Sequence, residues 1–170
     1  MIFQPLITQL LLIILLIVLT MLSGCASIPL TNYGQDALLK TFPEPAVDSA
    51  GLYIFRDTRR SGLLRKTIKL DGEVLGDTAM FVYFYKYIEP GRHTVTTQTE
   101  FGESSISFDA LASKNTYIRQ NIITGVFVAS AELEIVDEKQ GKAGVLKCYL
   151  AQEVGEQEKL KTRKSPFSSD

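Results

Sequence analysis

Residues 81–88 read FVYFYKYI, and no other short stretch restricts the possible folds of this chain so strongly. Side chains of an extended segment alternate between faces. Phe81, Tyr83, Tyr85 and Tyr87 therefore share one face, and Val82, Phe84, Lys86 and Ile88 share the other. Both faces cannot be fully solvated, because each would hold a row of large apolar groups in water. Val82, Phe84 and Ile88 are the expected core row, with Lys86 extending past its edge. Tyr83, Tyr85 and Tyr87 then form a candidate contact surface for protein or glycan, since tyrosine joins rigid apolar area to a polar tip. The competing reading packs this row too, as core or beneath the C-terminal segment.

The same period of two organises the chain from Gly51 onward. LYIFR opens a domain as a strand. RKTIKL and EVLG flank Asp71-Gly72, and Asp-Gly between such runs predicts a hairpin with positive φ at both central positions. The aromatic strand stops at Glu89-Pro90-Gly91-Arg92, where proline presets φ and glycine supplies a positive φ. HTVTTQT is expected to return as its partner strand. SSISFDAL and NTYIRQNII add two more strands. Between Val126 and Val136, Phe127, Ala129, Ala131, Leu133 and Ile135 alternate with Ser130, Glu132 and Glu134, which predicts a half-buried antiparallel strand. About six to eight short strands predict a mainly β domain over 51–152, an antiparallel β-sandwich or a partly open barrel. GKAGVLKCYL, from Gly141 to Leu150, suits either a helix with Ala143, Leu146 and Leu150 on one face or a strand with Leu146, Cys148 and Leu150. Gly141 and Gly144 weaken the helix. Residues 153–170 are polar and expected to be disordered.

The first 24 residues carry no charged side chain. Leu10–Leu19 is an unbroken apolar run whose helix would rise about 15 Å, half of the roughly 30 Å of a hydrocarbon core. A short apolar run followed by small residues fits a secretory signal better than a membrane span. Leu22, Ser23, Gly24 and Cys25 resemble the lipobox of bacterial lipoproteins. That resemblance implies a signal peptide over 1–24, cleavage between Gly24 and Cys25, and a diacylglycerol on the Cys25 sulfur that anchors the protein in a membrane. Ala26 after the cysteine implies outer-membrane delivery facing the periplasm by the sorting rule of enteric bacteria. The lack of Lys or Arg before the apolar run points instead to an uncleaved anchor. Residues 25–50, with Pro29, Gly34, Pro43 and Pro45, are expected to be a flexible tether.

Three pieces of the domain resemble the bacterial lipoprotein domain DUF2846, whose function is unknown: Tyr53 and Arg56 in the opening strand, Asp71 and Gly72 in the hairpin, and Pro90, Gly91 and His93 in the following turn. The resemblance spans roughly residues 50–150 and implies a β-sandwich in an envelope setting, with no activity attached.

The 18 basic and 19 acidic residues nearly balance, so the chain lacks the basic footprint of a nucleic-acid binder. His93 is the sole histidine, and no Cys-x-x-Cys, His-Glu-x-x-His or calcium-loop pattern accompanies it. No metal, cofactor or catalytic residue is predicted, and the glycines of GKAG lack the pattern of a phosphate loop. Cys148 is expected to be buried between Leu146 and Leu150. Arg56 is expected to pair with an acid at the sandwich edge, or else to face a ligand. The leading expectation is a non-catalytic binding or structural module of the envelope, its partner another envelope protein or the cell wall. The alternatives are a lipoprotein subunit of a trans-envelope secretion machine and, third, an enzyme acting on envelope polymers.

Overall fold

In a computed structural model, residues 9, 12, 28–59, 64–123 and 125–155 are described. In chain order the elements are α1 (Tyr33–Leu39), β1 (Ala50–Arg56), β2 (Lys66–Leu70), β3 (Glu73–Thr78), β4 (Val82–Ile88), β5 (Gly91–Gln98), β6 (Glu103–Ala110), β7 (Asn115–Ile123), β8 (Ser130–Val136), α2 (Glu138–Val145) and β9 (Tyr149–Leu150). They build a five-stranded sheet, β8-β7-β1-β4-β9, and a four-stranded sheet, β3-β2-β5-β6. The β-sandwich is therefore as expected, but it is not wholly antiparallel: β1 runs parallel to β7, and β4 parallel to β9.

Between the sheets lies an apolar core that includes Leu52 and Ile54 of β1, Phe84 and Ile88 of β4, Ile118 of β7, Ile68 of β2, Val95 of β5 and Phe108 of β6. The predicted core row of the aromatic strand sits here. At one end of this layer the buried side chains turn polar. Thr78 donates to the Gln120 Oε1 at 2.5 Å, and the Gln120 amide donates to Thr97 at 2.6 Å. Gln120 thus bridges the two sheets and satisfies both buried hydroxyls, as a low-dielectric interior demands.

The tyrosine row is packed as well. Cross-strand register places Tyr117 and Tyr85 on either side of Tyr53, and Arg119 and Tyr83 on either side of Phe55. This aromatic face is roofed by α2, α1 and Phe42, making a third layer. All seven residues of β1 are buried, which follows from its position in the sheet interior with a layer on each side. Helix α2 begins where Asp137 accepts the Gln140 N–H at 2.8 Å, a normal N-cap. Its buried face is Gly141, Gly144 and Val145, whereas Ala143 and Leu146 face solvent. The glycines that argue against a helix in the sequence are what let it dock. A Cβ on Gly141 would stand 2.2 Å from the Tyr117 ring, and one on Gly144 2.1 Å from the Phe55 ring.

Four expectations are corrected. HTVTTQT does not pair with the aromatic strand: β5 joins β2 and β6 in the other sheet, so Pro90-Gly91 turns a corner of the sandwich. The strand expected from Val126 begins only at Ser130, because the amides of residues 126–128 bond to the Glu100 carboxylate instead of a ladder. The tether reading fails over residues 28–50. Ile28 packs on the inter-sheet core, Leu30 bridges to Ala151, and α1 lies on the aromatic face. The expected tail also starts later, since Glu153 pairs with Lys86; residues 156–170 lie outside the described residues.

Gly144→Ala should lower the melting temperature by about 5–10 °C in a circular-dichroism melt. Overpacking of roughly 1–3 kcal/mol outweighs the roughly 1 kcal/mol that alanine adds in helix propensity. Gly155→Ala, with open space around its Cβ, should leave the melt unchanged.

Candidate functional site

Tyr83 and Tyr85 are buried while Tyr87 is 57% exposed. The contact surface expected from Tyr83, Tyr85 and Tyr87 is corrected accordingly, since α1 and β9 cover the first two. Tyr53 stacks on Tyr117 at 5.1 Å and meets Tyr85 at 4.6 Å, and Tyr87 stands edge-on to Tyr85 at 4.9 Å. Tyr53 donates to the Leu39 carbonyl at 2.9 Å and Tyr83 to the Asp36 carbonyl at 3.4 Å. Both carbonyls already accept a backbone amide, Leu39 from Phe42 at 3.0 Å and Asp36 from Lys40 at 3.1 Å, so the hydroxyls take their second lone pairs. Burial pushes the Tyr53, Tyr83 and Tyr85 hydroxyls well above the usual tyrosine range, and Tyr117 up to about 12. All four remain neutral at any physiological pH. Beside Tyr87 an open groove of about 710 Å³ runs between α1 and the β4–β9 edge, lined by Leu38, Tyr85, Lys86, Tyr87 and Glu153 among others.

Of the motif residues, Asp71 and His93 meet directly. Asp71 and Gly72 both have positive φ, 51° and 86°, as the predicted turn requires. The Asp71 carboxylate accepts from His93 Nδ1 at 2.6 Å and from the Thr94 amide at 2.9 Å. His93 Nε2 faces the Glu89 carbonyl at 2.8 Å. A carbonyl only accepts, so Nε2 carries a hydrogen, and a carboxylate partner at Nδ1 favours a second one. His93 is thus an imidazolium strap between the β2–β3 hairpin and the Pro90-Gly91 corner. Partial burial works against that charge, but the Asp71 and Glu89 oxygens raise the His93 pKa above its usual value. Asp71 is held below its usual value: partial burial opposes the shift, and the bonds from His93 and Thr94 overcome it. Arg56 continues the Leu52–Ile54 face into the polar end of the inter-sheet layer, where it is fully buried and donates to the Leu64 carbonyl at 2.7 Å.

Cys148 is buried, with its Sγ 3.4 Å from the Gly144 carbonyl and 3.5 Å from that of Arg56. Burial, with Asp57 nearby, pushes the thiol up to about 12, which removes the reactive thiolate. Among the described residues no cluster of His, Cys, Asp and Glu could hold a metal ion. Gly24 and Cys25 lie outside the described residues.

One surface escapes the sequence reading altogether. Glu100 accepts the amides of Val126, Phe127 and Val128 at 2.6, 2.5 and 3.3 Å. Desolvation acts against its charge, yet these three donors hold its carboxyl below the usual range. Gly125 is required in this loop because a Cβ there would strike the Val128 carbonyl at 1.7 Å. The clamp leaves Phe127 84% and Phe101 76% exposed, their rings edge to face at 6.3 Å, with Val126 exposed beside them. Alternation places Phe127 in a buried row, which the structure corrects. The signal against that row is the run Val126-Phe127-Val128 after a glycine, which is apolar without alternating.

The strap makes stability depend on pH. A raised His93 pKa adds stability below about pH 6.5, the unfolded value, and that stability is lost as pH rises through the higher folded value. The lowered Asp71 pKa adds stability above about pH 4, lost as pH falls through the folded value. The destabilisation caused by His93→Gln, read from urea midpoints, should therefore be largest near about pH 5.5 and shrink toward about pH 8.5.

No solved structure matches this chain. An uncharacterized protein of Haemophilus influenzae is 37% identical over 131 residues, covering 77% of this chain and 78% of that protein. The model of a family described as a protein of unknown function, DUF2846, matches residues 46–132, from just before β1 into β8. With the strand, hairpin and corner of that family assembled around Tyr53, Asp71 and His93, the chain belongs to the DUF2846 family.

Proposed function

We propose that this protein is lipid-anchored in the bacterial envelope, faces the periplasm, and serves as a non-catalytic binding or structural module whose partner is another envelope protein or the cell wall. The address rests on Leu22-Ser23-Gly24-Cys25 at the end of an uncharged apolar segment. Cleavage after Gly24 leaves Cys25 as the first residue, carrying acyl chains that anchor it more firmly than one chain alone. Ala26 favours the outer membrane.

The observation that carries the binding reading is the tip formed by Phe101, Val126 and Phe127. An exposed aromatic pair on two turns joined by three amide hydrogen bonds to Glu100 loses little conformational freedom when a partner covers it. The non-catalytic reading is supported by the use of both His93 ring nitrogens in the strap and by the buried Cys148 thiol.

Intact-mass analysis of the membrane-extracted protein should give a chain beginning at Cys25 with added acyl groups, lost in Cys25→Ala. An unmodified full-length mass would overturn the address. A photo-crosslinking side chain at position 127 should form a discrete adduct in intact cells, and one at exposed Leu111 should not. Absence of the adduct at 127 would remove the tip as a contact surface. Migration of the adduct with a large trans-envelope assembly would make the protein a machine subunit rather than a free-standing module.

A further inference from the structure

From Ile28 onward the chain is docked on the domain. Ile28 packs on the inter-sheet core. Gln152 N–H donates to the Pro29 carbonyl at 2.9 Å, and Thr31 N–H to the Leu150 carbonyl at 2.8 Å, so residues 29–31 extend the β9 edge of the five-stranded sheet. Cys25 precedes Ile28 by three residues, and three extended residues reach at most about 10 Å. Whatever membrane holds Cys25 therefore lies within about 10 Å of Ile28, too close for the domain to swing freely.

The surface beside that point suits an interface. Leu30, Tyr33 and Tyr149 are exposed, Tyr33 at 85%, and they border one small cleft with Thr31, Asp36 and Leu150. Lys40 holds its ammonium 5.2 Å from the centre of the Tyr149 ring while paired with Asp36 at 2.7 Å. Tyrosine rings with an apolar body and a polar tip, next to leucine and a lysine, match the boundary between acyl chains and phosphate headgroups. The Phe101–Phe127 tip lies by β8, the other edge of the same sheet. With β8 and β9 four strand spacings apart, the two surfaces are separated by about 19 Å or more.

We infer that the β9 edge, through Leu30, Tyr33 and Tyr149, rests on the phospholipid bilayer that holds Cys25, so that the Phe101–Phe127 tip is presented away from it. This orientation rests on the reading of residues 1–25 as a membrane attachment. It fixes which way the module faces.

The chain has no tryptophan, so single substitutions give clean reporters. Full-length Tyr33→Trp and Phe127→Trp proteins, extracted from membranes, would be reconstituted into phosphatidylcholine–phosphatidylglycerol vesicles with or without brominated acyl chains. Tyr33→Trp fluorescence should fall by about half or more in brominated vesicles, and Tyr149→Trp should repeat the result at an independent position. Phe127→Trp should be unaffected. Vesicle-bound protein whose reporters at positions 33 and 149 are not quenched, or whose position 127 is quenched equally, overturns the orientation. Intact mass of the same samples reads the modification of Cys25 separately. If Cys25 is unmodified but the protein floats with vesicles on an uncleaved segment, the quenching still decides the orientation. Failure to float overturns attachment and orientation together.

Discussion

The stack of Tyr117, Tyr53 and Tyr85 across three neighbouring strands is the interaction on which the rest of this fold depends. Such pairs contribute about 0.5–1.5 kcal/mol each beyond the area they bury, and only when water is excluded. Two β-sheets facing each other would leave this row wet. The chain therefore supplies a third layer from both sides of the sandwich sequence: α1 from before β1 and α2 from after β8. The covering elements are attached by backbone as much as by side chain. Asp36 accepts the Leu150 amide at 3.0 Å, and the tyrosine hydroxyls reach the α1 carbonyls. Glycine at 141 and 144 brings the α2 backbone directly onto the rings.

The second constraint is the corner at Pro90-Gly91, where the chain leaves one sheet for the other. A corner has no ladder of its own, and the His93–Asp71 pair with its link to Glu89 substitutes for one. This explains why a histidine follows the turn without implying chemistry for it. Both ring nitrogens are engaged in holding the hairpin and the corner together, so His93 and Asp71 form a structural clasp. The Glu100 clamp serves a similar purpose in the connection between β7 and β8, two neighbours of one sheet, by satisfying three amides outside the ladder.

Much of the fold was legible in the sequence. The core row Val82, Phe84 and Ile88 and the Asp71-Gly72 turn followed from period-two patterning and turn chemistry, which are local. Cys148 is buried as expected, although Leu146, one of the two flanks that suggested it, faces solvent. What was not legible depends on third parties. Whether Pro90-Gly91 closes a hairpin or rounds a corner depends on where β2 and β6 lie, which no local signal states. Gly141 and Gly144 read as helix breakers because propensity ignores what the helix lies upon. The prolines before β1 suggested a tether because their incompatibility with helix and strand says nothing about packing in irregular chain. The burial of Tyr83 and Tyr85 was not legible for a related reason: tyrosine's preference for interfaces is equally a preference for any apolar layer with a carbonyl within reach.

The pairing of Leu30 with Ala151 has a kinetic consequence. The first docked segment and the last strand meet 121 positions apart in sequence, so the sheet edge they share is among the longest loop closures in the molecule. Contacts of such separation form late and slowly, because the entropy of closure must be met before the contact contributes anything. Until β9 has left its point of synthesis, β4 has an open edge and Asp36 lacks the Leu150 amide. The domain therefore cannot mature progressively from its N-terminus. It stays incomplete through most of its emergence, and its aromatic face is sealed only when the final described strand arrives.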